Sequence, residues 1–322
     1  MSQKMNPFPG LRPFEMQEKY LFFGREDQTV ELLKRLGQAR FLAVVGTSGS
    51  GKSSLVRAGL LPELHGGTMT DAGSSWEISV MRPGGDPLTN LARALEDSGI
   101  YDTDEEDYYR HLRAMLGRST MGLIEAVAQS KVNKEDNLLI VVDQFEEIFR
   151  FRSDNANHAE EAANFINLLL EASEQTEKSI FVIITMRSDF LGDCSQFRGL
   201  AEAVNEGEYL IPRLNRNQRR LAIEGPVKVG GKQIEARLVQ ELLNDIGDDP
   251  DQLPILQHAL MRTWEYHEKG GGQGNLDLEH YEATGGMQEA LSRHADEVYD
   301  ELPTDEDRKY CEKIFKALTE RV

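Results

Sequence analysis

The chain reads as a three-layer α/β domain followed by a helical region, and three observations carry that expectation. Short apolar runs of strand length alternate with amphipathic helical patterns. A glycine-rich loop, GTSGSGKS, joins the first clear run to a helix. Beyond Asn215 the strand signal stops while helical periodicity continues.

Phe41 to Val45, Leu138 to Val142 and Ile180 to Thr185 are nearly continuous apolar runs, as expected of parallel strands buried on both faces. Trp76 to Met81 and Glu208 to Pro212 are further strand candidates. Between strands, Leu88, Leu91, Ala92 and Leu95 share one helix face, introduced by Asp86 as N-cap and Pro87 at the first helical position. Ala162, Phe165, Ile166 and Leu169 make another. In the helical region the faces are Val239, Leu242, Leu243 and Ile246, then Leu253, Leu256, Leu260 and Trp264. Gly270 to Gly274 is expected to be a flexible loop before Leu291, His294, Ala295 and Val298 resume the pattern, with His294 a core histidine. Thr304 and Asp307, at capping-box spacing, open a last helix carrying Cys311, Ile314, Phe315 and Leu318 on one face. With no further chain to pack on, that helix reads as the truncated start of another module.

Composition narrows the function classes. The 322 residues carry a formal net charge of -19 with 39% hydrophobic residues, and no apolar run is long enough to cross a bilayer. A polyanion is repelled by this balance, so nucleic acid is not expected as a partner. The acidic runs Asp102 to Asp107 and Asp248 to Asp251 read as solvated surface. The first residues lack a secretory pattern and there are two cysteines, Cys194 and Cys311, which fits a reducing cytoplasm.

Residues 46–53 complete the pattern G-x-x-x-x-G-K-[ST]. Gly46, Gly49 and Gly51 let the backbone curl so that its N–H groups, with those of Thr47, Ser48, Ser50 and Ser54, turn toward phosphates at a helix N-terminus. Lys52 would reach the β- and γ-phosphates, and the Ser53 hydroxyl would ligate magnesium. Leu138 to Phe149 is an apolar strand ending in Asp143, placed to hold magnesium with Ser53. Glu146 and Glu147 follow, and either could orient or deprotonate an attacking water. Arg187 ends the next strand, where it could sense a γ-phosphate or serve as a surface ion-pair residue.

Other nucleotide signatures fail on order. Asn133 to Asp136 spells NKED but precedes the acid-bearing strand, and Asp189 to Gly192 matches DxxG on the wrong side of it, so ATP is preferred over GTP. No LSGGQ precedes Asp143, which argues against a transporter ATPase.

Four stretches together resemble one family: NPFPGLRPF with FFGRE (residues 6–26), VVGTSGSGKSSLVRAGLLP (44–62), VVDQFEEIF (141–149) and LPILQHALMRTWE (253–265). The chain is similar to the STAND class of signal-transducing P-loop ATPases, specifically the bacterial novel STAND group. That resemblance implies an ASCE-type sheet of order 5-1-4-3-2, a helical lid and the start of a winged helix. The implied boundaries are 1–212 for the nucleotide domain, 213–284 for the lid and 285–322 for the linker helix and truncated winged helix. Glu146 and Glu147 match the displaced acidic pair of the NACHT form. Gly24 and Arg25 match positions beside the adenine, and Pro254 a proline that closes over the nucleotide; from the residues alone, Arg25 could be an exposed helix-start arginine and Pro254 an ordinary first-turn proline. The implied activity is a slow, Mg2+-dependent ATPase switch, ADP-closed and ATP-open, that self-associates in the ATP state. The rival classes are an AAA-type DNA loader, which the acidic charge opposes, and a metabolic kinase, for which no acceptor pocket is legible.

Overall fold

The computed structural model describes residues 6–67, 75–103, 105–133, 135–153, 156–175, 179–247 and 252–319. The acidic run Asp248 to Asp251, Asp104 and the lysine of NKED lie outside them. Two compact units are present: residues 13–215, and residues 216–322 together with the first twelve.

The first unit is built on a five-stranded parallel sheet: β1 (Phe41–Gly46), β2 (Trp76–Met81), β3 (Asn137–Val142), β4 (Ser179–Arg187) and β5 (Glu208–Leu210). The order is β2-β3-β4-β1-β5, which counted from the β5 edge is 5-1-4-3-2. Register is set by pairs such as Val45↔Met186 and Val142↔Ile184. Every residue of β1 and β3 is buried, which explains why these strands read as continuous apolar runs.

Alternation along β1 divides the core in two. Phe41, Ala43 and Val45 face one layer, shared with Leu91 and Leu95 of α4 (Pro87–Asp97), Leu112 of α5 (Tyr109–Leu116), Leu123 of α6 (Gly122–Ala128) and Phe165 and Leu169 of α8 (Ala156–Glu174); α7 (Glu147–Ser153) precedes α8 and α9 (Leu200–Gly207) closes this side. Leu42 and Val44 face the other layer, with Leu32 and Leu36 of α1 (Glu26–Gln38). Here too packs the helical run after the glycine loop: α2 (Lys52–Ser54), a π-helical turn (Leu55–Leu60) and α3 (Leu61–His65). Burying each such leucine contributes roughly 1.5–3 kcal/mol. Asp86 caps α4 as expected, its side chain accepting from the Thr89 N–H at 3.0 Å.

The second unit contains α10 (Arg216–Val229), α11 (Ala236–Asp245), α12 (Leu253–Lys269), α13 (Leu278–Ala283), α14 (Gly286–Asp300) and α15 (Asp305–Thr319). Its core is formed by Val239, Leu242, Leu243 and Ile246 with Leu256, Leu260 and Trp264. One parallel bridge, Ile234↔Leu276, interrupts the helical pattern. The Gly270 to Gly274 loop is pinned by Lys232, whose ammonium donates to the Gly272 carbonyl at 2.9 Å.

Three expectations need correction. Residues 6–12 do not group with the sheet: Phe8 lies in the helical core, 6.5 Å from Trp264 ring to ring. Leu291 and Val298 lie on an exposed face, because α14 buries Met287 and Ala290 instead, and His294 is half-buried against His258. The last helix forms, with the Asp307 N–H donating to Thr304 Oγ1 at 3.1 Å, but Ile314, Phe315 and Leu318 are exposed. Among the described residues 286–319 there are helices and no strand pair of a wing.

Candidate functional site

The glycine loop leaves β1 at Gly46 and enters α2 at Lys52. Gly49 and Gly51 take φ of 70° and 86°, a left-handed conformation that side chains with a Cβ adopt at a cost, and this curls the loop. Ser50 Oγ donates to the Thr47 carbonyl at 2.9 Å and closes the curl from inside, while Ser48 is exposed. The Lys52 ammonium donates to the carbonyls of Gly46 (3.0 Å) and Thr47 (2.7 Å), so its charge lies across the mouth of the loop. Burial holds Lys52 below the ordinary lysine range, opposed by Glu146, reinforced by Arg187 and opposed again by Asp143 and Asp189. Five charged groups from three strand ends therefore act on one another at this spot.

Asp143 follows β3 and is 1% exposed. Its Oδ1 accepts from Ser53 Oγ at 2.7 Å and from Thr185 Oγ1 at 2.7 Å, and its Oδ2 accepts from an Arg57 Nη at 3.0 Å. Thr185 in turn accepts from the Gln144 N–H at 3.0 Å. Gln144 has φ of 59°, a left-handed conformation costly for a residue with a side chain, and it turns the chain sharply after the aspartate. A hydroxyl and a carboxylate at this spacing are hard oxygen donors that fit magnesium, which takes its remaining ligands from phosphate and water. Among the described residues, no group of three or more His, Cys, Asp or Glu gathers that could hold a metal.

The turn after Asp143 separates the two glutamates. Glu146 is buried and its carboxylate accepts from the Arg187 N–H at 3.3 Å, on the Lys52 side. Glu147 points elsewhere, accepting from the Gly84 N–H at 2.9 Å beyond β2. Arg187 pairs with Asp189 and lies over the Phe190 ring. In NKED, Asp136 accepts from the Asn133 side chain at 2.8 Å.

Arg25 is not an exposed helix-start residue. It is 4% exposed and donates to the carbonyls of Pro212 (2.7 Å) and Ser50 (3.0 Å), tying the end of β5 to the glycine loop. Burial pulls its pKa down to about 10, so it stays cationic at neutral pH. Gly24, with φ of 85°, makes the turn before it, its N–H donating to Glu26 at 3.0 Å. Ser54 Oγ accepts from the Phe14 N–H at 3.1 Å and so anchors the chain before α1. Pro254 lies in the first turn of α12, in the helical unit.

Sequence reasoning missed Arg57, Thr185 and Glu15. The signal for Arg57 was its position four residues after Ser53, which puts both on one helix face. Thr185 follows the registered pair Val142↔Ile184, one step along from Asp143. Glu15, whose carboxylate takes the Arg57 guanidinium at 2.8 Å, left no local signal.

The likeness to solved structures is a likeness of fold. The Aeropyrum pernix ORC1 protein in complex with DNA is similar over 94% of this chain and 73% of its own, with TM-score 0.60 and 14% identity. The Aeropyrum pernix ORC2 protein, solved as ADPNP-ADP complexes, is similar over 83% of this chain and 67% of its own, with TM-score 0.55 and 14% identity. A Walker-type ATPase of Pyrococcus abyssi is similar over 97% and 79%, with TM-score 0.53 and 12% identity. A comparison with curated proteins finds no match. Among protein families, Novel STAND NTPase 1 matches residues 7–322. The sheet, the glycine loop and the Ser53–Asp143 pair thus have their family: the chain belongs to the novel STAND NTPase 1 family of P-loop NTPases.

Proposed function

We propose that this protein is an ATP-binding, slowly hydrolysing switch, and the observation that carries the reading is the meeting of Lys52, Ser53, Asp143 and Glu146 at one end of the sheet. Lys52 and the backbone from Gly46 to Ser54 bind the phosphates. Ser53 and Asp143 would hold magnesium, which would offset the charge of the phosphates. Glu146 orients the attacking water. It is preferred over Glu147 because its carboxylate shares the surroundings of Lys52, whereas that of Glu147 is engaged at Gly84. Arg187 reads the γ-phosphate, Arg25 and Gly24 shape the loop beside the base, and Pro254 belongs to the lid.

In this reading ADP holds a closed resting form and ATP favours an open, self-associating form used in signalling, with hydrolysis as the reset. Moving such an equilibrium from 1:99 to 99:1 takes about 5.5 kcal/mol of discrimination between the states. The γ-phosphate contacts of Lys52 and Arg187 supply part of it. The test is the nucleotide that copurifies with the chain, extracted by denaturation and separated by chromatography. Wild type is expected to carry ADP and Lys52→Ala to carry none, its affinity lowered about 10- to 100-fold. Wild type without bound nucleotide, and with weak affinity for ATP and ADP alike, sinks the switch.

A second reading, a DNA loader, draws on the likeness to a protein solved in complex with DNA. The net charge of -19 opposes it. A gel shift at low salt decides: a loader retains DNA, and the switch does not.

A further inference from the structure

The N-terminal segment belongs to both units. Asn6 Nδ2 donates to the Met261 carbonyl at 3.0 Å, Asn6 Oδ1 accepts from the Phe8 N–H at 3.0 Å, and the Phe8 ring is buried in the helical core. A few residues on, the Phe14 N–H donates to Ser54 Oγ in the P-loop helix, and the Phe14 ring packs with Leu21 and Ala58. Pro9 and Pro13 fix φ, and Gly10 turns at φ of 71° so close to Met261 that a Cβ there would meet its Sδ at 2.7 Å.

The segment ends at the site. Both Glu15 carboxylate oxygens accept from Arg57 Nη1, at 2.8 and 3.1 Å, while Arg57 Nη2 donates to Asp143 Oδ2 at 3.0 Å. A guanidinium keeps its proton at any ordinary pH. It is therefore a permanent positive charge on a carboxylate that a divalent cation also needs, and two cations at one carboxylate weaken each other's hold. Glu15 draws the same guanidinium from its far side.

We propose that Arg57 competes with magnesium for Asp143, and that Glu15 limits this competition by holding Arg57 between two carboxylates. Arg57 and Glu15 are thus positioning residues. The inference rests on the reading of Asp143 as the magnesium aspartate.

The experiment is retention of a fluorescent ADP analogue by the full chain across a magnesium titration. Asp143→Asn comes first: if it leaves the magnesium midpoint unchanged, the magnesium reading of Asp143 fails by itself. Where it raises the midpoint, Glu15→Gln is expected to raise the midpoint too, by about ten-fold, the scale seen for outer partners of metal ligands. Arg57→Met is expected to lower it, and Glu15→Gln added to Arg57→Met to change nothing further. Glu15 is 43% exposed, so its replacement spares the core. Midpoints that stay fixed in Glu15→Gln and Arg57→Met, or move the same way, overturn the proposal.

Discussion

The surroundings of Asp143 and of Phe315 are built in opposite ways. Around Asp143 both carboxylate oxygens are engaged by Ser53, Thr185 and Arg57, and the strand that leads to it is buried throughout. On α15 no residue is buried, and Tyr310, Ile314, Phe315 and Leu318 present an exposed apolar stripe. Both segments carried strong patterns in sequence. The difference teaches that a motif whose parts contact one another specifies its own surroundings, whereas an amphipathic face specifies only that something must cover it.

The sharpest way to break this comparison is to truncate one apolar side chain in each region. Leu42→Ala in β1 is expected to cost about 2–5 kcal/mol in denaturant unfolding. Should Leu42→Ala be nearly silent, the core layer that holds Leu42 is not packed as described above. The two cysteines test the same contrast chemically. Burial pushes the Cys194 thiol up to about 11, while Cys311 is only half-buried, on α15. Iodoacetamide at pH 8 is therefore expected to alkylate Cys311 at least about ten-fold faster than Cys194. Equal rates measured by peptide mass spectrometry would contradict the packing around Cys194.

A smaller effect is expected with pH in the helical unit. Burial holds His258 and His267 below the ordinary histidine value of 6.5, with His294 and Lys232 adding to the effect. Their folded forms favour the neutral ring, so the unfolded chain takes up protons first as pH falls. Stability is then full above 6.5 and is lost as pH drops below it toward the folded values. Hydrogen exchange along α12, corrected for intrinsic rates, should show protection falling between pH 7.5 and 5.5, and less so in His258→Gln. The smallest effect is expected at Phe315→Ala, within about 0.5 kcal/mol of wild type. A large loss there would show that the stripe is covered in solution.

Legibility in the sequence followed the reach of each interaction. The glycine loop, Asp143 and the strands were readable because chain neighbours carry their geometry; even the Asp86 cap was. Glu146 and Glu147 were indistinguishable because their separation depends on the left-handed turn at Gln144, a residue type that does not demand it. Arg25 was ambiguous because its partners, Pro212 and Ser50, come from distant chain. The allegiance of residues 6–12 was misread for the same reason: nothing near Phe8 says that it joins a core containing Ile223, Leu260 and Trp264.

That placement has a consequence for biosynthesis. Phe8 leaves the ribosome before any residue it packs against, and the whole sheet unit is made in between. The helical core cannot close until Trp264 and Met287 have emerged, so an apolar aromatic waits uncovered while a complete neighbouring domain folds. Chain synthesis thus leaves a defined interval in which this segment is a chaperone's natural target, and the interval ends only when the helical core that takes up Phe8 has been made.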